Sequence, residues 1–338
     1  MSEAFQTLSD GLAGAVAAAG PSIVRVEARR HTPGSGILWS ADGLIVTANH
    51  VVRRDDNITV GLSDGQTAAA TLVGRDPTTD LAVLQVSGAT GQPLARAEEA
   101  EMSVGHIVLA LGRPGRTVQA TLGVVSALGD GWRTPMGGQI DRYLATDVVM
   151  YPGFSGGPLV GANGRLLGLN TSGLDQGVSL AIPAATLDRV VEALRSHGRV
   201  RRGYLGVSTQ RVRLPEGAAA AAGQKSGLLV VAVESGSPAE AAGLTLGDTL
   251  LAISGKAIQT HEDLLAALSG DVVGQKEVTR VLRGGQVQEL AVKIGERDGN
   301  WRNSRKDARR PRPKEELSSW RFAPAPLREL SLRTRGGG

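Results

Sequence analysis

The chain has 338 residues, 41% hydrophobic and 21% charged, a globular composition too long for one ordinary core and suited to two domains with tails. It has no cysteine, which excludes disulfides, thiol catalysis and cysteine-based metal sites, and no apolar run near the roughly 20 residues of a membrane-spanning helix. The net charge of +4 is uneven: residues 296–338 hold 12 Lys and Arg against 6 Asp and Glu, which leaves the first 295 residues at −2 and assigns the basicity to a tail rather than to a nucleic-acid-binding body.

The opening segment, MSEAFQTLSDGLAGAVAAAG, lacks the positive start and strongly apolar centre of an export signal. The expectation is therefore a cytoplasmic protein as written, or a periplasmic one if a leader precedes it. Phe5, Leu8, Leu12 and Val16 fall at helical spacing, which predicts a short amphipathic helix packed on the body. From Pro21 to about Ala181 the chain alternates short β-rich runs with Gly, Asp, Asn or Pro turns: SIVRVEARR, GSGILWS, LIVTANHVV, DLAVLQV, HIVLALG, TLGVVSALG, LVGANGRLLGLN and VSLAIP are typical. About a dozen such strands without long helices between them predict an all-β sandwich or a pair of barrels.

One helix then follows, AATLDRVVEALRSHG, with Leu187, Val190, Val191 and Leu194 as its apolar stripe and Gly198 as its stop. A charged linker leads to a second β-rich unit with two short helices. SPAEAAG is capped by Ser237 with Pro238 at its first position, and THEDLLAALSG opens on a Thr260/Asp263 capping box. The expected organisation is an N-terminal helix over 1–20, a first unit over 21–199, a linker over 200–203, a second unit over 204–295 and a basic, disordered tail over 296–338.

The stretch GFSGGPLV, residues 153–160, places Ser155 among glycines and a proline. It reads either as a turn or as a nucleophile on a tight loop, and a nucleophilic serine needs a base. Of five histidines, His50 ends an apolar strand where strand gives way to loop; His106 begins one and is the only rival; His31 lies in a turn, and His197 and His261 in helical, exposed settings. The base needs a carboxylate to set its tautomer. Asp80, opening the apolar strand LAVLQV, is the candidate, while Asp76 before Pro77 is a turn residue. No cofactor or metal is expected.

The order His50, Asp80, Ser155 resembles that of chymotrypsin-type proteases. By that resemblance the amides of Gly153 and Ser155 form an oxyanion hole. More specifically, GSGILWSADGLIVTANHVV, DPTTDLAVLQV, LATDVVMYPGFSGGPLVGANGRLLGLNTS and SLAIP, followed by RGYLGVSTQ and SGSPAEAAGLTLGDTLLAISGKAI, resemble the HtrA (Deg) serine proteases over residues 5–295. The resemblance implies a mostly β fold, a chymotrypsin-like double β-barrel followed by an α+β PDZ domain. It also implies an ATP-independent endopeptidase of bacterial stress response and protein quality control that degrades misfolded or unfolded proteins and peptides.

The position six before Ser155 is Val149 rather than an acid, and Val149 and Met150 beside Leu169, Asn170, Thr171 and Ser172 suggest an apolar pocket for Val, Ala, Leu or Met. The same resemblance places a carboxylate-binding loop for C-terminal peptides at Tyr204, Leu205, Gly206 and Val207. Leu264, Leu265 and Leu268 are available to groove or core. It implies a homotrimer or higher oligomer, with Phe5 and Tyr143 as aromatic contact positions, and a regulatory loop at 129–141 with Arg133 as a sensor. Two departures stand out. Phe154 replaces a small polar residue beside the nucleophile, and Ala48-Asn49 replaces the commoner pair before His50. They keep a second reading open, a peptide-binding chaperone or scaffold with a resting or inactive protease domain. A third, tethering of nucleic acid or an acidic membrane by the basic tail, is tested by the salt dependence of binding with and without that tail.

Overall fold

Helix α1, Ser2–Ala19, forms where helical spacing predicts it, but only its C-terminal half is packed. Leu12, Ala15, Val16 and Ala19 reach the barrel core, whereas Phe5 and Leu8 remain 69% and 45% exposed. The computed structural model describes residues 2–296 apart from 31, 89–90, 99–101, 175–176 and 270–271, so His31 and the tail beyond Glu296 lie outside the described residues. Among the described residues no helix is long and apolar enough to cross a membrane.

The first β-rich run closes into an antiparallel barrel of β1 Ile23–Glu27, β2 Gly34–Leu38, β3 Leu44–Ala48, β4 Ile58–Gly61, β5 Thr67–Asp76 and β6 Leu81–Val86, in the order β1-β2-β3-β6-β5-β4. Closure leaves no unpaired strand edge. The second barrel uses β7 Ile107–Gly112 and β8 Gln119–Gly129. A small ribbon follows, β9 Trp132–Arg133 with β10 Gln139–Ile140. The barrel is completed by β11 Tyr143–Thr146, β12 Pro158–Gly161, β13 Leu166–Thr171 and β14 Ser179–Pro183, in the order β11-β14-β13-β12-β7-β8.

Two devices join the barrels. Helix α2, Ala184–His197, leaves the second barrel and lays Leu187, Val190, Val191 and Leu194 into the core of the first; it ends where Gly198 turns left-handed (φ 69°). Arg113, at the end of β7, is buried with its guanidinium donating to the carbonyls of Ile23 (2.7 Å), Arg116 (2.8 Å) and Gly20 (2.9 Å). Burial lowers its pKa, and three carbonyl acceptors compensate the buried cation.

The third region belongs to the same compact unit, Met1–Arg297. Its strands are β15 Gly203–Tyr204, β16 Val207–Arg213, β17 Ser226–Val233, β18 Thr249–Ile253, β19 Lys256–Ala257, β20 Lys276–Arg283, β21 Gln286–Lys293 and β22 Gly295–Glu296. The main sheet runs β16-β17-β18-β20-β21, so β16 is an edge strand. The sequence predicts two helices here and the described residues form three. Helix α3, Glu216–Ala222, is an alanine run that the alternation of strands and glycines hid. Helices α4, Pro238–Ala241, and α5, His261–Ala267, carry the expected Ser237 cap and Thr260/Asp263 box. Leu264 and Leu268 face the core, and Leu265 is 41% exposed. Arg202 ties this region back to the first barrel through Asp76 (3.0 Å) and the Thr78 hydroxyl.

Candidate active site

Antiparallel pairing of β3 with β6 sets Ala48 opposite Leu81, so the residues just beyond and just before them, His50 and Asp80, emerge side by side. Asp80 has φ 58°, a left-handed conformation uncommon for a residue with a side chain and concentrated at functional sites. Its neighbours hold it there. Its carbonyl accepts from Asn49 N (2.9 Å), its Oδ1 from His50 N (2.9 Å), and its Oδ2 meets His50 Nδ1 at 2.8 Å. The Thr171 hydroxyl also donates to Oδ2. A carboxylate 4% exposed is thus hydrogen-bonded on both oxygens, as burial demands. Gly173 closes this side: a Cβ there would lie 2.5 Å from Asp80 Oδ2 and 2.8 Å from His50 Nδ1, so only glycine lets the strand end pass so near.

Ser155 arrives from the second barrel on a loop whose tight course uses left-handed Gly153 (φ 93°) and Gly156 (φ 90°). Ser35, on the first barrel, anchors that loop. Its amide donates to the Ser155 carbonyl (3.1 Å), its hydroxyl donates to the Gly153 carbonyl (2.7 Å), and the same hydroxyl accepts from Arg113 N (2.8 Å). Gly156 N and Asn170 O bind at 2.9 Å from the other side. The amides of Gly153 and Ser155 themselves have no intramolecular acceptor among the described residues, which leaves them available to an oxyanion. His50 and Ser155 line one cleft of about 490 Å³ between the barrels. The Ser155 hydroxyl hydrogen-bonds Ser172 Oγ (3.1 Å) rather than the His50 ring.

The pocket expectation needs correction residue by residue. Met150 and Ser172 line the cleft. Leu169 is buried in the hydrophobic core, Asn170 is buried with its amide on the Pro158 carbonyl (2.7 Å), and Thr171 serves Asp80. Val149 is 55% exposed and outside the cleft. Every residue of β13 is buried, so from this segment only Ser172, just past the strand's end, reaches the cleft. Phe154 does not crowd Ser155 either. Its ring is fully buried in the second barrel, edge-on to Tyr151 at 5.8 Å.

The other described histidines lie elsewhere. His106 is exposed and accepts from Ser103 N (3.3 Å), His197 is exposed at the end of α2, and His261 Nε2 meets the Thr209 carbonyl at 3.0 Å. Asp76 acts as the expected turn residue, accepting from Thr78 N (3.1 Å) and the Thr79 hydroxyl (2.8 Å). Arg133 bonds the Gly137 carbonyl (3.2 Å); burial, then nearby Arg202 and Arg189, lowers its pKa, and Glu262 opposes them. In the third region Tyr204 bonds Glu234 (2.5 Å), Leu205 is buried with its carbonyl on Ala239 N (2.9 Å), Gly206 is left-handed (φ 80°) and accepts from Glu234 N (2.8 Å), and Val207 opens β16. Ser35 and the Thr171 contact escaped sequence reasoning, since GSG and NTS offer only small polar residues beside strands and nothing that names their partners.

Comparison with known proteins adds an independent observation. The family model described as a trypsin-like peptidase domain matches residues 34–169, and that of a PDZ domain matches residues 203–294. Similar curated proteins include the probable periplasmic serine endoprotease DegP-like of Ectopseudomonas mendocina, 39% identical over 269 residues, covering 78% of this chain and 56% of the relative. The protein of the same description from Chlamydia trachomatis is 35% identical over 276 residues, covering 80% and 55%. The chain thus spans about half the length of the curated relatives it matches. Similar solved structures include the HtrA-type protease AlgW with a decapeptide (30% identity, TM-score 0.69) and the serine endoprotease from Yersinia pestis (32%, TM-score 0.70). Each match covers 85% of this chain and 98% of the other.

Proposed function

The chain belongs to the HtrA family of PDZ-bearing serine proteases, and from that membership we propose that it is an ATP-independent endopeptidase acting on unfolded or misfolded proteins. The observation that carries the reading is the 2.8 Å pairing of His50 Nδ1 with buried Asp80, in the cleft that also holds Ser155. Asp80 accepts a hydrogen bond from Nδ1–H, which keeps the proton on Nδ1 and leaves Nε2 free as the base. Ser155 Oγ loses its proton to Nε2 and bonds to the scissile carbonyl carbon, whose oxygen takes the negative charge opposite the Gly153 and Ser155 amides. The C–N bond then breaks as His50 returns the proton to the leaving amine. Water, activated by the same nitrogen, releases the acyl group and restores the serine.

In this reading residues 21–199 act as the catalytic unit, and residues 204–295 as a recognition unit joined by the 200–203 linker. An extended C-terminal peptide adds to the open edge of β16, walled by α5, with the Tyr204–Val207 loop at its carboxylate. The protein assembles as a homotrimer, for which exposed Phe5 is a contact; Tyr143 packs edge-on against Trp132 at 5.9 Å.

A second reading, a peptide-binding chaperone with a resting protease domain, is favoured by the Ser155–Ser172 hydrogen bond, which turns the nucleophile away from its base. Incubation with casein, beside Ser155→Ala and beside a fluorophosphonate-treated sample, separates the two. Cleavage lost in both controls supports the protease; intact casein and an unlabelled Ser155 support the chaperone.

A further inference from the structure

The cleft has two unlike walls. Met150, Tyr151 and Pro152 supply an apolar one; Arg29, Arg30 and Thr32, from the segment between β1 and β2, supply a basic one, and His50 and Ser172 line the same cleft. Arg29 donates to the Thr32 carbonyl, and Arg53 Nε donates to the carbonyl of His50 itself (3.0 Å). None of Arg29, Arg30 and Arg53 has a carboxylate partner among the described residues. Of the neighbouring acids, Glu27 pairs with Arg25 and Asp55 with Arg75, while Asp56 accepts, among the described residues, only from the Asn57 side chain (3.5 Å). Arg29 is partly buried, and burial followed by the charge of Arg53 lowers its pKa, so the guanidiniums are close enough to repel one another. Like charges gathered at a cleft and left uncompensated raise the local concentration of the opposite charge.

The chemistry decides which part of a substrate meets this wall. His50 must hand its proton to the leaving amine, so the chain beyond the scissile bond runs out past His50 and the arginines, while the acyl side lies against Met150 and Ser172. Resting on the protease reading above, we infer that Arg29 and Arg30 select substrates with acidic side chains in the first two positions after the scissile bond. Each guanidinium offers a planar fork to a carboxylate, and Arg53 adds its field from behind the base. The substrate class is therefore an unfolded segment in which an apolar residue is followed by Asp or Glu.

The test uses the full chain and three internally quenched peptides that share one apolar sequence before the cleavage point and carry Glu-Glu, Gln-Gln or Lys-Lys after it. The readout is the ratio of kcat/KM for the Glu and Gln peptides, with fluorophosphonate labelling of Ser155 run in parallel. The expected ratio is about tenfold in about 0.05 M salt, the sum of two partly exposed charge pairs, and it shrinks toward unity in about 0.5 M salt. It also collapses in Arg29→Gln/Arg30→Gln and is retained in Arg30→Lys. Because the ratio is taken within each variant, a general loss of activity does not imitate the effect. Labelling of Ser155 without a Glu-over-Gln preference, or a preference that survives the double substitution, overturns this inference alone. No labelling and no cleavage of any peptide removes the protease reading and this inference with it.

Discussion

Asp80 illustrates how one residue is made to serve two strands. Its left-handed backbone lets one carboxylate oxygen take the His50 amide and the other the His50 ring and the Thr171 hydroxyl. The expected result of Asp80→Asn is a fall in kcat of about 10³- to 10⁴-fold with thermal stability little changed: the side-chain oxygen stays on the His50 amide, so the NH2 group takes the place of Oδ2, donates to Nδ1 and fixes the wrong tautomer. Thr171→Val removes only one of the hydrogen bonds on that oxygen. It should lower kcat by about tenfold, with KM held. Steady-state kinetics on one quenched peptide, with thermal melts of each variant, check both. Equal losses in the two variants would mean that Thr171 does more than orient the acid.

Elements matter here through their ends. The barrel strands stop beside the cleft, and the functional side chains sit within a residue or two of those stops: His50 after β3, Asp80 before β6, Thr171 and Ser172 at the end of β13. In the PDZ region the turn before β18 rests on Asp248, buried and gripped by Arg283 through two 2.7 Å contacts and by Thr245 N at 2.8 Å. Burial pushes that carboxyl up, but the hydrogen bonds and charge of Arg283 and the Thr245 amide outweigh it and hold it below its usual value. The unfolded chain therefore takes up this proton first. The stabilisation is fully present above about pH 4 and is lost as pH falls through the folded value. Asp248→Asn should cost about 2 to 3 kcal/mol at neutral pH and flatten the acid limb of stability, as thermal unfolding from about pH 7 to pH 3 would show.

At the scale of the whole molecule, the site exists only because two closed barrels are held face to face. Arg113 and α2 both reach from the second barrel to the first, and Ser35 carries the alignment into the Ser155 loop. The N-terminal half of α1 is left without cover, with Phe5 and Leu8 exposed on one helix. An apolar surface of this kind is stabilised by assembly. The expected sedimenting mass is that of a trimer, about three times the 35.0 kDa chain. Phe5→Glu should shift it toward the monomer; a monomeric parent chain would dismiss the assembly.

Strand rhythm, turn glycines and the capped helices were legible in the sequence, because each depends on neighbours a few residues away, and the order of His50, Asp80 and Ser155 was legible through its resemblance to a known family. Helix α3 was not, since an alanine run with glycines at positions 217 and 223 satisfies no single pattern. The partners of Asp80, the anchoring of Ser155 by Ser35, the inward turn of Phe154 and the meeting of Arg29 with the cleft were decided by tertiary structure. Those contacts join segments up to about 120 residues apart, and which face of a strand looks inward depends on a register that only barrel closure sets.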